Sequence, residues 1–452
     1  MRFYIFIIFM VTFLQAQEWV QNFEGEDFSG TGYPIWEIQK TNDDGFILTA
    51  GGDDNRAIKL NHTGDLEWSY TFAGGFAKYI EQFDDGKIFV PNASDVIILN
   101  ETGEQIGSFG ISVPGPIFDG KIIDNNSFLG LYTNVATTSK LLFSNTNGGV
   151  IWEKDYETVY RGIDQSFNGT YFLTGFNAYD STSFMKIDSD GNTIWNKKYY
   201  LDENQLEMYD GISTSDSSFI SIGVHYTDGT AETGADLVII KLDDNGDSLW
   251  TKRYGGQYHD YSETIIETFN GNYLIAGYKT QSYDQGDTDA WLLLIDSNGD
   301  SLWSNTYSEV DGQGVDKAYS VVQVEDGSFV FCGLFNNAAF VAKTEYAEEI
   351  ILSTEDNFII QDYMLHQNYP NPFNPTTKIS YDLPEASVVR LSIYDLMGRK
   401  IRTMINSKQT AGFKNIQWNA TDNLGKSVPA GMYIYTIQAG QFRQTRKMVL
   451  LK

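Results

Sequence analysis

The chain has 452 residues, which at roughly 150 residues per domain excludes a single small domain. Hydrophobic residues make up 42% and charged residues 20%, the composition of a folded chain and not of a disordered one. The single cysteine, Cys332, excludes an intrachain disulfide framework, CxxC redox chemistry and cysteine zinc sites, and the 4 histidines argue against a histidine-built metal centre. Charge is unevenly spread. Residues 362–452 hold 12 basic and 5 acidic residues, whereas 17–361 hold 18 basic and 55 acidic, a split that marks a domain boundary. A net −37 on the larger part repels nucleic acid and anionic lipid.

Residues 1–16, MRFYIFIIFMVTFLQA, read as an export signal: Arg2 precedes an apolar run from Phe3 to Leu14, and Ala16 offers a small residue for cleavage. The run falls short of the roughly 20 residues that cross a bilayer, and no later stretch is long enough to be a transmembrane anchor.

From residue 17 to about 347 the chain repeats. One phrase is an apolar strand, a Gly turn, a Trp and an aromatic four residues on. The pairs are Trp68/Phe72, Trp152/Tyr156, Trp195/Tyr199, Trp250/Tyr254 and Trp303/Tyr307, and a degenerate copy has Gly107 in place of Trp. Positions four apart share a strand face, so each pair is expected on one buried face, as core packing. A second phrase precedes each of these, with turns at Gly45, Gly86, Asn126, Gly169, Ser217, Gly271 and Gly327, where a positive φ is expected. A period of 40-odd residues with several strands is that of a propeller blade. The two ends are complementary: EWVQNF (Trp19, Phe23) is a last-strand phrase with no blade before it, and the seventh unit, ending AAFVAKTE, lacks its last strand. The reading is a seven-bladed β-propeller over 17–347, closed by pairing the first strand into the last blade, which removes exposed edges.

Chemistry in the array is sparse. The turns DSDGN, DDNGD and DSNGD resemble half of a calcium loop, with oxygens on Asp188, Asp190, Asn192, Asp243, Asn245, Asp247, Asp296, Asn298 and Asp300. Calcium wants six to eight oxygens, and no acidic residue follows at the usual distance, so plain turns are expected and no cofactor is implied. Longer polar connections at 226–236, 280–289 and 307–317 are expected to gather on one sector as a ligand face. Asp260 with Glu263, and Asp287 with Asp289, are candidates for acid–base chemistry, and His259 is the one histidine in a polar aromatic loop. Trp36 and Trp291 lie outside the Trp row; sugar stacking there is weighed against plain packing, and packing is preferred. There is no HExxH and no GxSxG, and GKS at 425–427 lacks the first P-loop glycine because Ala420 stands there.

Residues 348–364 connect to a tail, 365–452, that reads as six strands with alternating faces, a small β-sandwich. Its residues Asn368, Tyr369, Pro370, Asn371, Pro372, Phe373, Asn374 and Pro375, then Gly398, Arg399, Trp418, Gly431, Tyr433 and the terminal run from Lys447 closely resemble the type A C-terminal sorting domain of type IX secretion. The resemblance implies an immunoglobulin-like sandwich related to flagellar hook-capping domains. It also implies the outer-membrane secretion machinery as partner, and a cargo released or attached at the cell surface. The repeats resemble uncharacterised bacterial propeller proteins, which assigns no activity. Three readings stay open: a secreted or surface propeller that binds an extracellular ligand, glycan or protein; a glycan-active enzyme using carboxylates; and a structural matrix or adhesion component.

Overall fold

A computed structural model describes residues 17–23, 34–344 and 364–451. Within these spans it leaves aside 52–54, 74–76, 93–94, 111–116, 135–137, 167, 178–180, 202–204, 227–233, 257, 281–286, 309–313, 337, 366–367, 369–372, 384–386, 410–411, 424 and 441. The expected export signal, the linker at 348–363 and the motif residues Tyr369, Pro370, Asn371 and Pro372 lie outside the described residues. Every regular element among the described residues is a strand, and no helix is long and apolar enough to cross a membrane. The chain divides into two compact units, Met1–Ile351 and Leu352–Lys452.

Among the described residues the first unit contains seven antiparallel four-stranded sheets. Sheets 1 to 6 are successive hairpins within residues 35–72, 81–110, 117–156, 159–199, 206–254 and 260–307. Sheet 7 takes three strands from 317–344 and its fourth from Gln17–Phe23, with Asn22 opposite Phe340 and Trp19 opposite Lys343. Apolar clusters fill the spaces between consecutive sheets. One joins sheets 1 and 2 through Ile47, Ile88 and Val90, and the series runs on until another joins sheets 7 and 1 through Val330, Val341 and Ile38. The order of packing is therefore cyclic.

The Trp row is shallower than its sequence suggests. The fourth strands alternate between exposed and half-buried residues, because they are the outermost strands. Four of the Trp residues lie over the third-to-fourth turn of the next sheet. The indole N–H groups of Trp68, Trp152, Trp195 and Trp250 donate to the carbonyls of Glu101, Ser189, Asp244 and Ser297 at 2.9–3.3 Å. The rings cover Gly103, Gly191, Gly246 and Gly299, all at positive φ, so closely that a Cβ at any of them would press into the indole. The Tyr199 and Tyr254 hydroxyls donate to the carbonyls of Gly246 and Gly299. Phe109 covers Gly148 where Gly107 stands in the Trp position. Trp303 faces sheet 7, which has no third-to-fourth turn because its fourth strand comes from the start of the chain; its indole N–H has no hydrogen-bond partner among the described residues.

The first-to-second turns need one correction. In sheet 1 the left-handed residue is Asp44 (φ 65°), not Gly45, and Asn126 is not left-handed at all. The backbone bonds Asp44 N to Thr41 O and Gly86 N to Phe83 O align Asp44 with Gly86, so sheet 1 carries its acidic residue where sheets 2, 4, 6 and 7 carry glycine and sheet 5 carries Ser217.

The second unit pairs a three-stranded sheet (Met364–Leu365, Thr377–Leu383, Gly412–Trp418) with a four-stranded one (Lys400–Gln409, Ser387–Asp395, Gly431–Ala439, Phe442–Leu450) over one core. The motif residues build that core. Phe373 and Tyr433 pack on Trp418 at centroid distances of 5.5 and 5.3 Å. Asn368 is buried; its N–H donates to the Tyr435 hydroxyl and its side-chain amide to Thr377. Gly398 supplies the positive φ of the Asp395–Arg399 turn, which the Arg399–Asp395 ion pair closes at 2.7 Å. Asn374, Pro375 and Lys447 are exposed.

Candidate functional site

The first strands of the sheets surround a cavity of about 570 Å³. Each of these strands except the short one in sheet 2 carries a β-bulge near its start. Two residues then oppose one, which re-aims the extra side chain. The extra residues are Trp36, Phe118, Arg161, Tyr209, Glu263 and Tyr319, and all six line the cavity. Lys78, three residues before Glu81, takes the matching place in sheet 2 and also lines it. Glycine on the second strand makes room for the bulge: a Cβ on Gly175, Gly223, Gly277 or Gly333 would collide with the carbonyl of Val159, Glu207, Tyr261 or Lys317.

These residues form an alternating ring. Aromatic side chains come from sheets 1, 3, 5 and 7, and charged ones from 2, 4 and 6. Trp36 packs against Tyr319 at 4.8 Å, the ring planes tilted by 51°. Lys78 Nζ lies 4.5 Å over Trp36 and 5.4 Å over Phe118. The Arg161 guanidinium lies 5.9 Å from Phe118, 5.2 Å from Tyr209 and 5.0 Å from Phe176. Lys317 Nζ stands 4.0 Å over Tyr278, another lining residue. Burial lowers the pKa of Lys78 and of Lys317, while burial raises that of Glu263 against the pull of Lys78, Lys317 and Arg161.

The next residue along each strand does different work. Asp119 accepts the N–H of Ile163 in the neighbouring sheet at 2.7 Å. Asp210 accepts those of Gly211 (2.7 Å) and Ile265 (3.0 Å), and the Thr264 hydroxyl. Two residues deeper, Glu81 accepts from Ile122, and Asp164 accepts from Ser213 while pairing with Lys121 at 3.1 Å. These carboxylates bond one sheet to the next. Burial raises the pKa of Asp119 and Asp210, and pushes Glu37 up to about 8 despite a hydrogen bond from Gln39.

Of the acid–base candidates, Glu263 alone lines this cavity. Asp260 is buried on the same strand, accepting from Gly256 N and facing Lys279 at 3.7 Å; burial raises its pKa. His259 is buried against Tyr261, its pKa lowered by burial, and its backbone N–H donates to Thr280. Asp287 and Asp289 are half-buried and outside the cavity lining. The polar connections at 226–236, 280–289 and 307–317 all leave sheets 5 and 6 at the end where first strands begin, the end that carries the ring. Their described ends touch: Thr288 N donates to Gly314 O, and Asp316 N to Thr288 O.

The turn carboxylates and amides are engaged locally. Asp188, Asp243 and Asp296 each accept two backbone N–H groups of their own turns, from Asp190 and Asn192, Asn245 and Asp247, and Asn298 and Asp300. Asp247 and Asp300 also pair with Lys197 and Lys252 of the preceding sheet. Among the described residues no group of His, Cys, Asp and Glu could hold a metal ion. Trp291 is buried, donating to Ser304 at 2.8 Å, whereas Trp36 faces the cavity.

The signal for the ring was present but scattered: one extra residue after the first apolar position of each first strand, and the glycine closing FLTG, ISIG, LIAG and VFCG. The ring residues differ in every repeat, so aligning repeats discards them.

Residues 367–451 match the family described as the secretion system C-terminal sorting domain, and 139–363 match that of the outer membrane protein assembly factor BamB. No curated protein matches in sequence. Among solved structures, the chain is similar to the WD40 beta propeller domain of Doa1 (TM-score 0.51, 13% identity, 74% of this chain and 98% of that one). It is also similar to a catalytically inactive virginiamycin B lyase from Staphylococcus aureus with quinupristin (0.50, 10%, 72% and 99%). A protein of unknown function from Bacteroides caccae aligns at TM-score 0.41 and 13% identity, over 61% of this chain and 94% of that one. At these identities the likeness shows the fold alone, a β-propeller. The sorting domain implies export by type IX secretion, with attachment at the cell surface or release outside.

Proposed function

We propose that residues 17–347 are a closed seven-bladed propeller that binds an extracellular ligand at the alternating ring. A signal at 1–16 and an immunoglobulin-like sorting sandwich at 365–452, working with the secretion machinery, deliver it. The cyclic order of the inter-sheet clusters and the pairing of Gln17–Phe23 with Ala338–Thr344 support the blade count. The two sheets sharing one core support the sandwich.

One observation carries the binding reading: six bulges, with Lys78 at the matching place in sheet 2, bring seven side chains of unlike chemistry into one cavity, bordered by the carboxylates that hydrogen-bond one sheet to the next. A binding role is favoured over glycan hydrolysis, which requires two available carboxylates. Asp119, Asp164, Asp210 and Glu81 already accept backbone N–H groups and Glu37 accepts from the Gln39 side chain, leaving Glu263 as the lining carboxylate without a hydrogen bond among the described residues. A photo-crosslinking screen of small molecules and oligosaccharides on the full chain tests this. Hits should label the segments around Trp36, Arg161 and Tyr209; labelling confined to the outer strands would overturn it. Deleting 365–452 should leave the protein in the periplasm, and normal secretion would overturn the delivery role.

A further inference from the structure

We infer that the ligand of this ring carries a carboxylate beside a flat ring, the acidic end of a uronate glycan or an aromatic acid. The inference rests on the binding reading above and names its ligand class.

The cavity lining holds six carboxylates and three cations, but Glu37, Glu81, Asp119, Asp164 and Asp210 already accept hydrogen bonds within the protein and Lys121 pairs with Asp164. The charges left to meet a ligand are Lys78, Arg161 and, beside the lining at Tyr278, Lys317, with Glu263 as the one anion among them. None of Lys78, Arg161 and Lys317 makes an ion pair or hydrogen bond among the described residues. The Arg161 Nε–H in particular is buried with no partner. Their partners are π faces, which attract a cation but leave its hydrogen-bond donors unused. Burial lowers the pKa of Lys78 and Lys317 against the opposing pull of Glu263, so one carboxylate faces three cations and a second anion would offset the remainder.

The shape of the anion follows from the donors. A guanidinium presents a planar fork that matches a carboxylate, and the Lys78 ammonium, which also lies over Phe118, adds a second, less directional contact. A cationic ligand is disfavoured because the aromatic faces at Trp36, Phe118 and Tyr209 are already occupied by the protein's own cations. The flat ring follows from Trp36 and Tyr319, packed at 4.8 Å with planes tilted by 51°, with Tyr261 and Tyr278 also lining the cavity, an aromatic wall beside the charges. About 570 Å³ accommodates one or two sugar rings or a single aromatic acid.

Titration calorimetry on the full chain tests this with four probes: galacturonate oligomers, their methyl esters, neutral galactose oligomers, and hydroxycinnamate. The inference expects one of the two acids to bind, and its ester or neutral counterpart to bind at least 10-fold more weakly. Uronate binding without hydroxycinnamate binding assigns the glycan source, and the converse assigns the aromatic acid. Arg161→Met should weaken the bound acid at least 10-fold, with Arg161→Lys restoring part of the loss; matching melting curves separate lost binding from lost folding. Glu263→Gln, which removes the competing anion, should tighten binding several-fold. Equal binding of acid and ester, or an acid that binds Arg161→Met unchanged, overturns the inference. So does no binding by either acid. A neutral or cationic compound cross-linked to the ring would overturn it while leaving the binding site standing, whereas labelling only outside the ring removes the site itself.

Discussion

Two adjacent positions on the same strands have opposite duties. The bulge residues Trp36, Phe118, Arg161, Tyr209, Glu263 and Tyr319, with Lys78 at the matching place in sheet 2, face the cavity and meet each other through rings and charges. One residue on, Asp119 and Asp210 accept N–H groups of neighbouring sheets. A carboxylate is a poor candidate for chemistry when it is already the acceptor for two backbone donors, and a cation is a good candidate for binding when its donors are idle. Proximity to a cavity does not separate the two groups; the hydrogen-bond inventory does.

The contrast can be broken from its strongest side. Asp210→Ala leaves the N–H groups of Gly211 and Ile265 and the Thr264 hydroxyl without their acceptor, and should cost about 4 kcal/mol in urea unfolding. A loss under about 1 kcal/mol would mean that the bond between sheets 5 and 6 is dispensable. Gly277→Ala forces a Cβ against the Tyr261 carbonyl and should cost about 3 kcal/mol by undoing the bulge that aims Glu263. If it instead melts like the parent, bulge and glycine are uncoupled. Trp250→Ala removes a half-buried ring and its bond to Ser297, so about 2 kcal/mol is expected, below the cost of emptying a core site. Lys78→Met should change stability by less than about 1 kcal/mol or raise it, since a desolvated cation is exchanged for an apolar chain of similar length. A large loss there would make the ring structural.

The smallest effect is pH dependence. Glu37 has a folded pKa of about 8, above the ordinary carboxylate value, so between about pH 5 and 8 the folded state binds the extra proton. Its contribution is full below the ordinary value and is lost as pH rises through about 8. Melting temperature should fall across that window, and less steeply in Glu37→Gln. Parallel slopes for the two proteins would show that Glu37 does not report the channel.

Much of the architecture was legible because repetition is a sequence property. The recurrent Trp and the recurrent Gly turn are two halves of one joint: Trp195 of sheet 4 closes on Gly246 of sheet 5. That joint explains why the Gly turn and the Trp recur together within the first phrase, although the depth of the Trp could not be read from a period-two pattern that an outer strand and a core strand share. The tail's strands were readable for the same kind of reason, strict alternation around Tyr433 and Tyr435.

What the amino-acid order determined by itself, then, is the local: strand faces, turn residues, the period, and a basic tail whose motif residues Asn368, Phe373 and Gly398 serve local packing and turn chemistry. The ring was decided only by tertiary structure. Trp36 and Tyr319 are 283 positions apart along the sequence and 4.8 Å apart in space. Their meeting depends on the cyclic packing that sets sheet 7 beside sheet 1, and on bulges that turn side chains inward. Neither leaves a repeated residue type behind, because a bulge selects for backbone room at Gly277 and its counterparts and leaves the aimed side chain free to differ.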